Sequence, residues 1–274
     1  MLILDGKKVS QDIKSDFENR IESLKQKPYV AILGIEGDEA SKVYVNRIQK
    51  NCDKYNIKCE IMLSKNEEEF ISDFNSVKDK EEITGIMFQQ PLPKKCLELI
   101  NEMSPEKDIE GLSYWNMGKL FFGDDCLIPC TSEAVIKTIE YYDIDLTGKK
   151  VTIVGRSNIV GKPLIPQLLA KNATVTVCHS RTKEIDKVLQ DSDVIVMAIG
   201  KAKFLKKDMI KEGAILIDVG INCVEGKIYG DIDFEEIQEK ASMCTPVPGG
   251  IGVVTNALLI NNIIKSVELK NKSN

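Results

Sequence analysis

Val151–Pro163 reads VTIVGRSNIVGKP, and this stretch decides the fold. Val151–Val154 is a short run of β-branched residues that predicts a buried strand ending at Gly155. A brief loop follows, and Gly161-Lys162-Pro163 opens a helix with proline near its first position. Such a junction aims backbone N–H groups and the positive end of the helix dipole at one point, which suits a pyrophosphate. The spacing is not G-x-G-x-x-G, because Ser157 stands where the middle glycine would be. Taken alone, the stretch also fits an ordinary tight turn between strand and helix.

The end of the next strand narrows the choice. Thr174–Cys178 is followed by His179-Ser180-Arg181, with no acidic residue at that edge. A nucleotide domain that prefers NAD usually carries Asp or Glu there to bind the ribose hydroxyls. Arg156 in the loop, Ser180 and Arg181 instead offer two guanidinium groups and a hydroxyl, which suit the dianionic 2′-phosphate of NADP. Arg181 by itself reads equally as a solvated surface charge. His179 is the only histidine. Its place at a strand tip favours an adenine or ribose contact over catalysis, and a single histidine excludes any site built from two or more.

Outward from this junction, apolar strands alternate with amphipathic helices. Strands are expected at 29–35, 59–63, 85–88, 151–154, 174–178, 194–198 and 215–219. Helices are expected at 12–25, 41–55, 67–78, after Pro129 with Thr131 as N-cap, and from residue 251 onward. Glu67–Glu69 reads as a solvated helix start. Lys107–Asp125 reads as a polar interruption, in which Trp115 and Phe121-Phe122 are expected to pack between domains. The rhythm predicts an α/β fold with mostly parallel sheets and helices on their faces.

The composition bounds the function. The chain has 274 residues, 43% hydrophobic and 29% charged, with a net charge of −5. It lacks the basic excess of a general nucleic-acid binder, and no apolar run approaches a membrane span. The first residues lack the layout of a signal peptide, so a cytoplasmic location is expected. Eight cysteines without a C-x-x-C pair read as reduced thiols, and no metal site is expected.

With GRSNIVGKP come TVTVCHSRT, DVGIN and TPVPGGIGVVT downstream, and GDEASKVYV, GIMFQQPLP, SPEKDIEGL and PCTS upstream. In this order the chain resembles the methylenetetrahydrofolate dehydrogenase/methenyltetrahydrofolate cyclohydrolase family over essentially its whole length. The resemblance implies two α/β domains with a cleft between them. A folate-binding domain comprises residues 1–122 and 254–274, completed by the C-terminal helix, and a Rossmann-like NADP domain spans 123–253. It also implies a homodimer acting on tetrahydrofolate derivatives. The matching cofactor positions are Thr131, Gly155, Arg156, Ser157, Ile159, Gly161, Ser180, Ile221, Gly252 and Thr255. On the folate side they are Tyr44, Gln89, Pro248 and Gly249. A tyrosine ring can flank a flat substrate, and glutamine offers both donor and acceptor to a heteroaromatic edge.

The departures from the family pattern matter as much. Bifunctional members carry Tyr-x-x-x-Lys, with the lysine assigned to the cyclohydrolase step. Here the segment is Tyr44-Val45-Asn46-Arg47-Ile48. Lys50 lies about 120° round the helix from Tyr44, and Arg47 does not cycle a proton near neutral pH. The family's KDVDG is Lys107-Asp108-Ile109-Glu110-Gly111, so Glu110 takes the place of the pterin-side aspartate with one methylene added. Ser132 and Ala134 replace the proline and glycine of PCTP-x-G. The expectation is an NADP-dependent dehydrogenase with weak or absent cyclohydrolase activity, and with Tyr44, Gln89 and Glu110 at the reacting folate. Three alternatives stand beside it. One is a fully bifunctional enzyme that also forms 10-formyltetrahydrofolate. Another is a two-domain dehydrogenase resembling shikimate dehydrogenase, and the third is a catalytically inactive folate- or nucleotide-binding protein.

Overall fold

A computed structural model describes residues 1–37 and 39–273, without the side chains of 39–44 and 273. The first half runs β1 (Leu2–Ile3), α1 (Gly6–Ser23), β2 (Tyr29–Ile35), α2 (Glu39–Lys54), β3 (Lys58–Ser64), α3 (Glu67–Val77), β4 (Gly85–Phe88), α4 (Lys94–Glu98) and α5 (Tyr114–Phe122). The second runs α6 (Cys130–Tyr141), β5 (Lys150–Val154), α7 (Gly161–Ala170), β6 (Thr174–Cys178), α8 (Ile185–Gln190), β7 (Val194–Met197) and β8 (Ile215–Asp218). It ends with β9 (Asn222–Val224), β10 (Lys227–Tyr229), α9 (Phe234–Ile237), β11 (Met243–Cys244) and α10 (Ile251–Ser273).

The chain divides into two compact units. One comprises residues 1–12, 120–123 and 129–257. Its six-stranded sheet, β1-β11-β8-β7-β5-β6, is parallel throughout. β7 is buried at every position, and β5 is buried from Val151 to Val154. Their β-branched runs are what a sheet covered on both faces requires. Val154, Met197, Leu205, Leu216 and Ile237 meet in one apolar cluster. The antiparallel β9–β10 pair turns through Glu225 and Gly226, both at positive φ, the backbone that a tight hairpin demands.

The other unit comprises residues 13–119, 124–128 and 258–274. Its sheet is the parallel trio β3-β2-β4. Phe88 of β4 meets the rings of Phe70 and Phe74 of α3 edge-on at 5.2 and 5.6 Å, and such pairs add to the area they bury. The C-terminal helix completes this unit. The Arg20 guanidinium grips Glu268 with bonds of 3.0 and 2.7 Å. Asn262 Nδ2 donates to the carbonyls of Ile109 (3.0 Å) and Ile128 (2.8 Å).

Three local expectations are corrected. α1 begins at Gly6 rather than residue 12, because an Asp5 carboxylate oxygen accepts the Lys7 N–H at 2.9 Å and caps the first turn. Val9 then extends the buried stripe of Ile13 and Phe17. Pro129, not Thr131, is the N-cap of α6, and Thr131 sits inside the first turn. The stretch 107–125 contains helix α5. Its aromatic residues stay exposed, with Trp115 at 63%, Phe121 at 58% and Phe122 at 87%, so they do not pack as expected.

Candidate active site

The nucleotide loop is built by backbone pressed against backbone. Gly155 has φ +133°, and a Cβ there would lie 2.3 Å from the Ala198 carbonyl oxygen. A Cβ on Gly161 would lie 2.2 Å from the Gly155 carbonyl oxygen. Only glycine satisfies both positions. The Gly155 N–H donates to the Cys178 carbonyl at 2.9 Å, tying the loop to the end of β6. No side chain caps α7; in its first turn the Lys162 N–H donates to the Ser157 carbonyl at 3.0 Å and Pro163 has no N–H to give. The Ser157 hydroxyl accepts the Val160 N–H at 3.1 Å and stiffens the turn. Ile159 is 42% exposed beside it.

A cavity of about 450 Å³ opens at the ends of β5, β6 and β7. Arg156, His179, Ser180 and Thr182 line it together with Lys201 and Phe204, and no carboxylate is among its walls. The His179 N–H donates to Thr182 Oγ1 at 2.9 Å, and His179 Nδ1 accepts the Arg181 N–H at 3.1 Å. This turn presents Ser180 to the cavity. Arg181 is exposed and does not line it. Thr131, Ile221, Gly252 and Thr255 also lie outside its walls. Ile221 is 66% exposed, and its Cδ1 would stand 3.4 Å from a Cβ on Gly252. The Thr255 hydroxyl donates to the Ile251 carbonyl at 3.1 Å. Two cradle glycines and a cationic cavity with no carboxylate among the described residues of its wall fit a phosphorylated dinucleotide. Ser132, which departs from the family pattern, is buried and fully engaged. Its hydroxyl donates to the Pro129 carbonyl (2.9 Å) and accepts from Gln167 Nε2 (3.0 Å).

The other unit holds a separate polar cluster at the end of β4. Gln89 is 7% exposed, and its backbone N–H donates to the Leu33 carbonyl at 2.7 Å. Its Nε2 donates to the Gln90 carbonyl at 2.6 Å, while Oε1 is buried with no partner. A buried acceptor left unpaired costs free energy, and among the described residues no donor reaches this oxygen. Glu110 accepts the Phe88 N–H at 3.2 Å. Burial and then the neighbouring Asp108 push its carboxyl up to about 8, while the Phe88 bond pulls the other way. Glu110 is therefore mostly protonated at neutral pH and can donate an O–H. Asp108 is buried, with Oδ2 accepting from the Ser113 N–H (2.7 Å) and Asn116 Nδ2 (3.0 Å).

Ile48 is 2% exposed, packed in the core. Arg47 and Lys50 are exposed. The Tyr44 side chain lies outside the described residues. Lys107 is not poised for a ligand, since Nζ donates to the carbonyls of Lys78 and Lys80, both at 2.8 Å. Pro248 and Gly249 belong to the unit that carries the nucleotide loop. The Val247–Pro248 bond is cis, and Gly249 has φ +109°. The Gly6 N–H donates to the Gly249 carbonyl at 2.9 Å, which ties this segment to the start of α1.

Lys201 and the residue that shapes its turn, Asp231, were not evident in the sequence. Asp231 accepts N–H bonds from residues about 30 positions earlier, and no local pattern marks such a pairing. The sole hint is the glycine before it, in Gly230-Asp231.

Fold and site together define an α/β oxidoreductase of the dinucleotide-binding class. Residues 4–110 match the family described as tetrahydrofolate dehydrogenase/cyclohydrolase, catalytic domain, and residues 129–271 match its NAD(P)-binding domain. The chain belongs to the tetrahydrofolate dehydrogenase/cyclohydrolase family and is a dehydrogenase of folate one-carbon chemistry. It is 43% identical to the bifunctional protein FolD of Caldanaerobacter subterraneus subsp. tengcongensis, over 99% of each chain. The crystal structure of the bifunctional methylenetetrahydrofolate dehydrogenase/cyclohydrolase FolD from Campylobacter jejuni superposes with a TM-score of 0.93 at 38% identity, covering 98% of this chain and 99% of that one. The Trypanosoma brucei enzyme, crystallised with NADP cofactor and an inhibitor, superposes at 0.91 with 27% identity, covering 99% of each. The names of these relatives side with the bifunctional alternative rather than with a lost cyclohydrolase. Among the described residues no helix is long and apolar enough to cross a membrane.

Proposed function

We propose that the chain catalyses the reversible NADP-dependent oxidation of 5,10-methylenetetrahydrofolate to 5,10-methenyltetrahydrofolate by direct hydride transfer. The observation that carries the cofactor reading is the cationic cavity beside the Gly155 turn, walled by Arg156 and Ser180 without any carboxylate. Bound NADP supplies the hydride acceptor. The chain's own residues bind and orient. Gly155, Ser157, Ile159 and Gly161 form the phosphate turn, Arg156 and Ser180 favour the 2′-phosphate from the cavity wall, Arg181 does so only by its place beside Ser180 in the sequence, and Thr131, Ile221, Gly252 and Thr255 complete the cofactor contacts by family position. On the folate side Gln89 Oε1 accepts an N–H from the pterin, and protonated Glu110 supplies a donor. Tyr44, Pro248 and Gly249 are the remaining folate positions by family resemblance. The folate nitrogens carry the positive charge left on the bridging carbon, so alignment and electrostatics suffice without a covalent intermediate.

We assign folate binding to residues 1–122 with 254–274 and NADP binding to 123–253, in a cytoplasmic homodimer. NADPH formation from methylenetetrahydrofolate, followed at 340 nm with NADP and then NAD, tests the reading. Absence of turnover with both sinks it, and equal efficiency with both sinks the NADP assignment.

The relatives' names favour subsequent hydrolysis of the methenyl product to 10-formyltetrahydrofolate. Ile48 favours a second reading, in which that step is weak. A buried isoleucine moves no proton, and the exposed Arg47 and Lys50 do not replace an inward ammonium. Methenyl hydrolysis at the rate of a lysine-bearing relative removes this second reading, and a rate near the uncatalysed one removes the first.

A further inference from the structure

The turn after β7 contributes to the nucleotide cavity in a way that its backbone does not reveal. Three successive N–H groups there, of Ile199, Gly200 and Lys201, would ordinarily form a nest for an anion. They are already taken. Asp231 accepts all three, at 2.7, 3.0 and 2.7 Å, and its Oδ1 also accepts Asn222 Nδ2 at 2.9 Å. Asp231 is fully buried, and Gly220 makes room for it, since a Cβ there would lie 2.2 Å from the carboxylate. The turn therefore has no free amide to offer a cofactor. Its remaining cationic group is the side chain of Lys201.

That side chain is exposed and lines the same cavity as Arg156 and Ser180. Its ammonium stands 6.0 Å from the Phe204 ring, another wall of the cavity. The next lysines along the chain are engaged, Lys203 with Asp233 at 3.4 Å and Lys206 with Glu236 at 3.8 Å. Among the described residues Lys201 has no ion-pair partner, and no carboxylate lines the cavity to compensate it. Asp231 is spent on amides.

We infer that Lys201 binds the 2′-phosphate of the cofactor from the wall formed by the turn after β7, and so helps set the preference for NADP over NAD. This rests on the NADP reading above and adds a residue to it. The chemistry is a point charge rather than a fork, which adapts to a phosphate already held by Arg156.

The test uses two probes that differ by one phosphate, adenosine 2′,5′-bisphosphate and adenosine 5′-monophosphate, with binding to the full chain measured by calorimetry. Lys201→Gln is expected to weaken the bisphosphate roughly 5- to 20-fold while leaving the monophosphate within about twofold. Lys201→Arg is expected to retain most of the preference. In turnover, Lys201→Gln raises KM for NADP and leaves KM for NAD unchanged. Equal weakening of both probes, or no change in either, overturns the role of Lys201. A wild-type chain that binds the two probes alike overturns the NADP reading itself, a result separable from failure of the variant alone.

Discussion

Replacing Glu110 by Gln removes an ionisable group from a place where its charge is poorly tolerated, and the consequence is a change in the pH dependence of stability. In the folded chain the carboxyl titrates at about 8, chiefly because it is desolvated and secondly because Asp108 is close; its ordinary value is 4.5. Between those two values the native state holds a proton that the unfolded state has released. Stability therefore falls as pH rises, by about 1.4 kcal/mol per pH unit at full effect, and the fall ends above the folded value. Over the whole window this amounts to roughly 4–5 kcal/mol. Glu110→Gln keeps the shape and the neutral polarity of the protonated acid but has nothing to ionise. Urea unfolding of both proteins at pH 5, 7 and 9 isolates this contribution together with its coupling to Asp108, because titrating groups that do not interact with Glu110 cancel in the difference. The variant is expected to gain on the wild type by roughly 4 kcal/mol between pH 5 and pH 9, most of it before pH 8. Parallel curves, differing by a constant, would show that Glu110 ionises in the folded chain as it does in water and would refute the claim that it donates an O–H to the folate.

Further outcomes concern the nucleotide turn and the core of α2. Gly155→Ala places a methyl 2.3 Å from the Ala198 carbonyl oxygen at φ +133°, and is expected to lower the thermal midpoint and abolish NADP binding by calorimetry. Asp231→Ala leaves three backbone N–H groups without their acceptor and leaves Asn222 Nδ2 with only the Tyr229 carbonyl at 3.3 Å; a loss of about 3–5 kcal/mol in urea unfolding is expected. Ile48→Lys puts an ammonium at a position 2% exposed and is expected to cost about 2–4 kcal/mol. The same variant partly restores methenyl hydrolysis in a stopped assay if the second reading of the function holds.

Much of the architecture was legible in the residues. The strands at 29–35, 85–88 and 174–178 have the expected bounds, because short continuous apolar or β-branched runs bounded by polar or turn-forming residues have few other solutions. Helix α5 was not legible, because Trp115, Phe121 and Phe122 are exposed and leave no one-sided pattern to read. The start of α1 depends on Asp5 capping Lys7, a contact that outweighs the poor helix propensity of Gly6. Strands β1 and β11 are two residues each, too short to show any period. In the site, the glycines of the nucleotide loop can be read from the strand–loop–helix pattern, a pattern that an ordinary tight turn also fits. The unpaired oxygen of Gln89 and the raised carboxyl of Glu110 cannot be read there, since each depends on what the folded chain packs around it.

The edge strand β1 ties the protein's assembly to the order of its synthesis. Leu2 and Ile3 pair with Met243 and Cys244, and the bonds Leu2 N–H to Ser242 (2.7 Å) and Leu4 N–H to Cys244 (2.9 Å) fix them there. A nascent chain releases its first strand about 240 residues before that partner exists, a delay of roughly 12–50 s at ordinary translation rates. Until then the ribosome carries a strand with no neighbour, and β1 joins the large sheet only after Met243 and Cys244 have emerged.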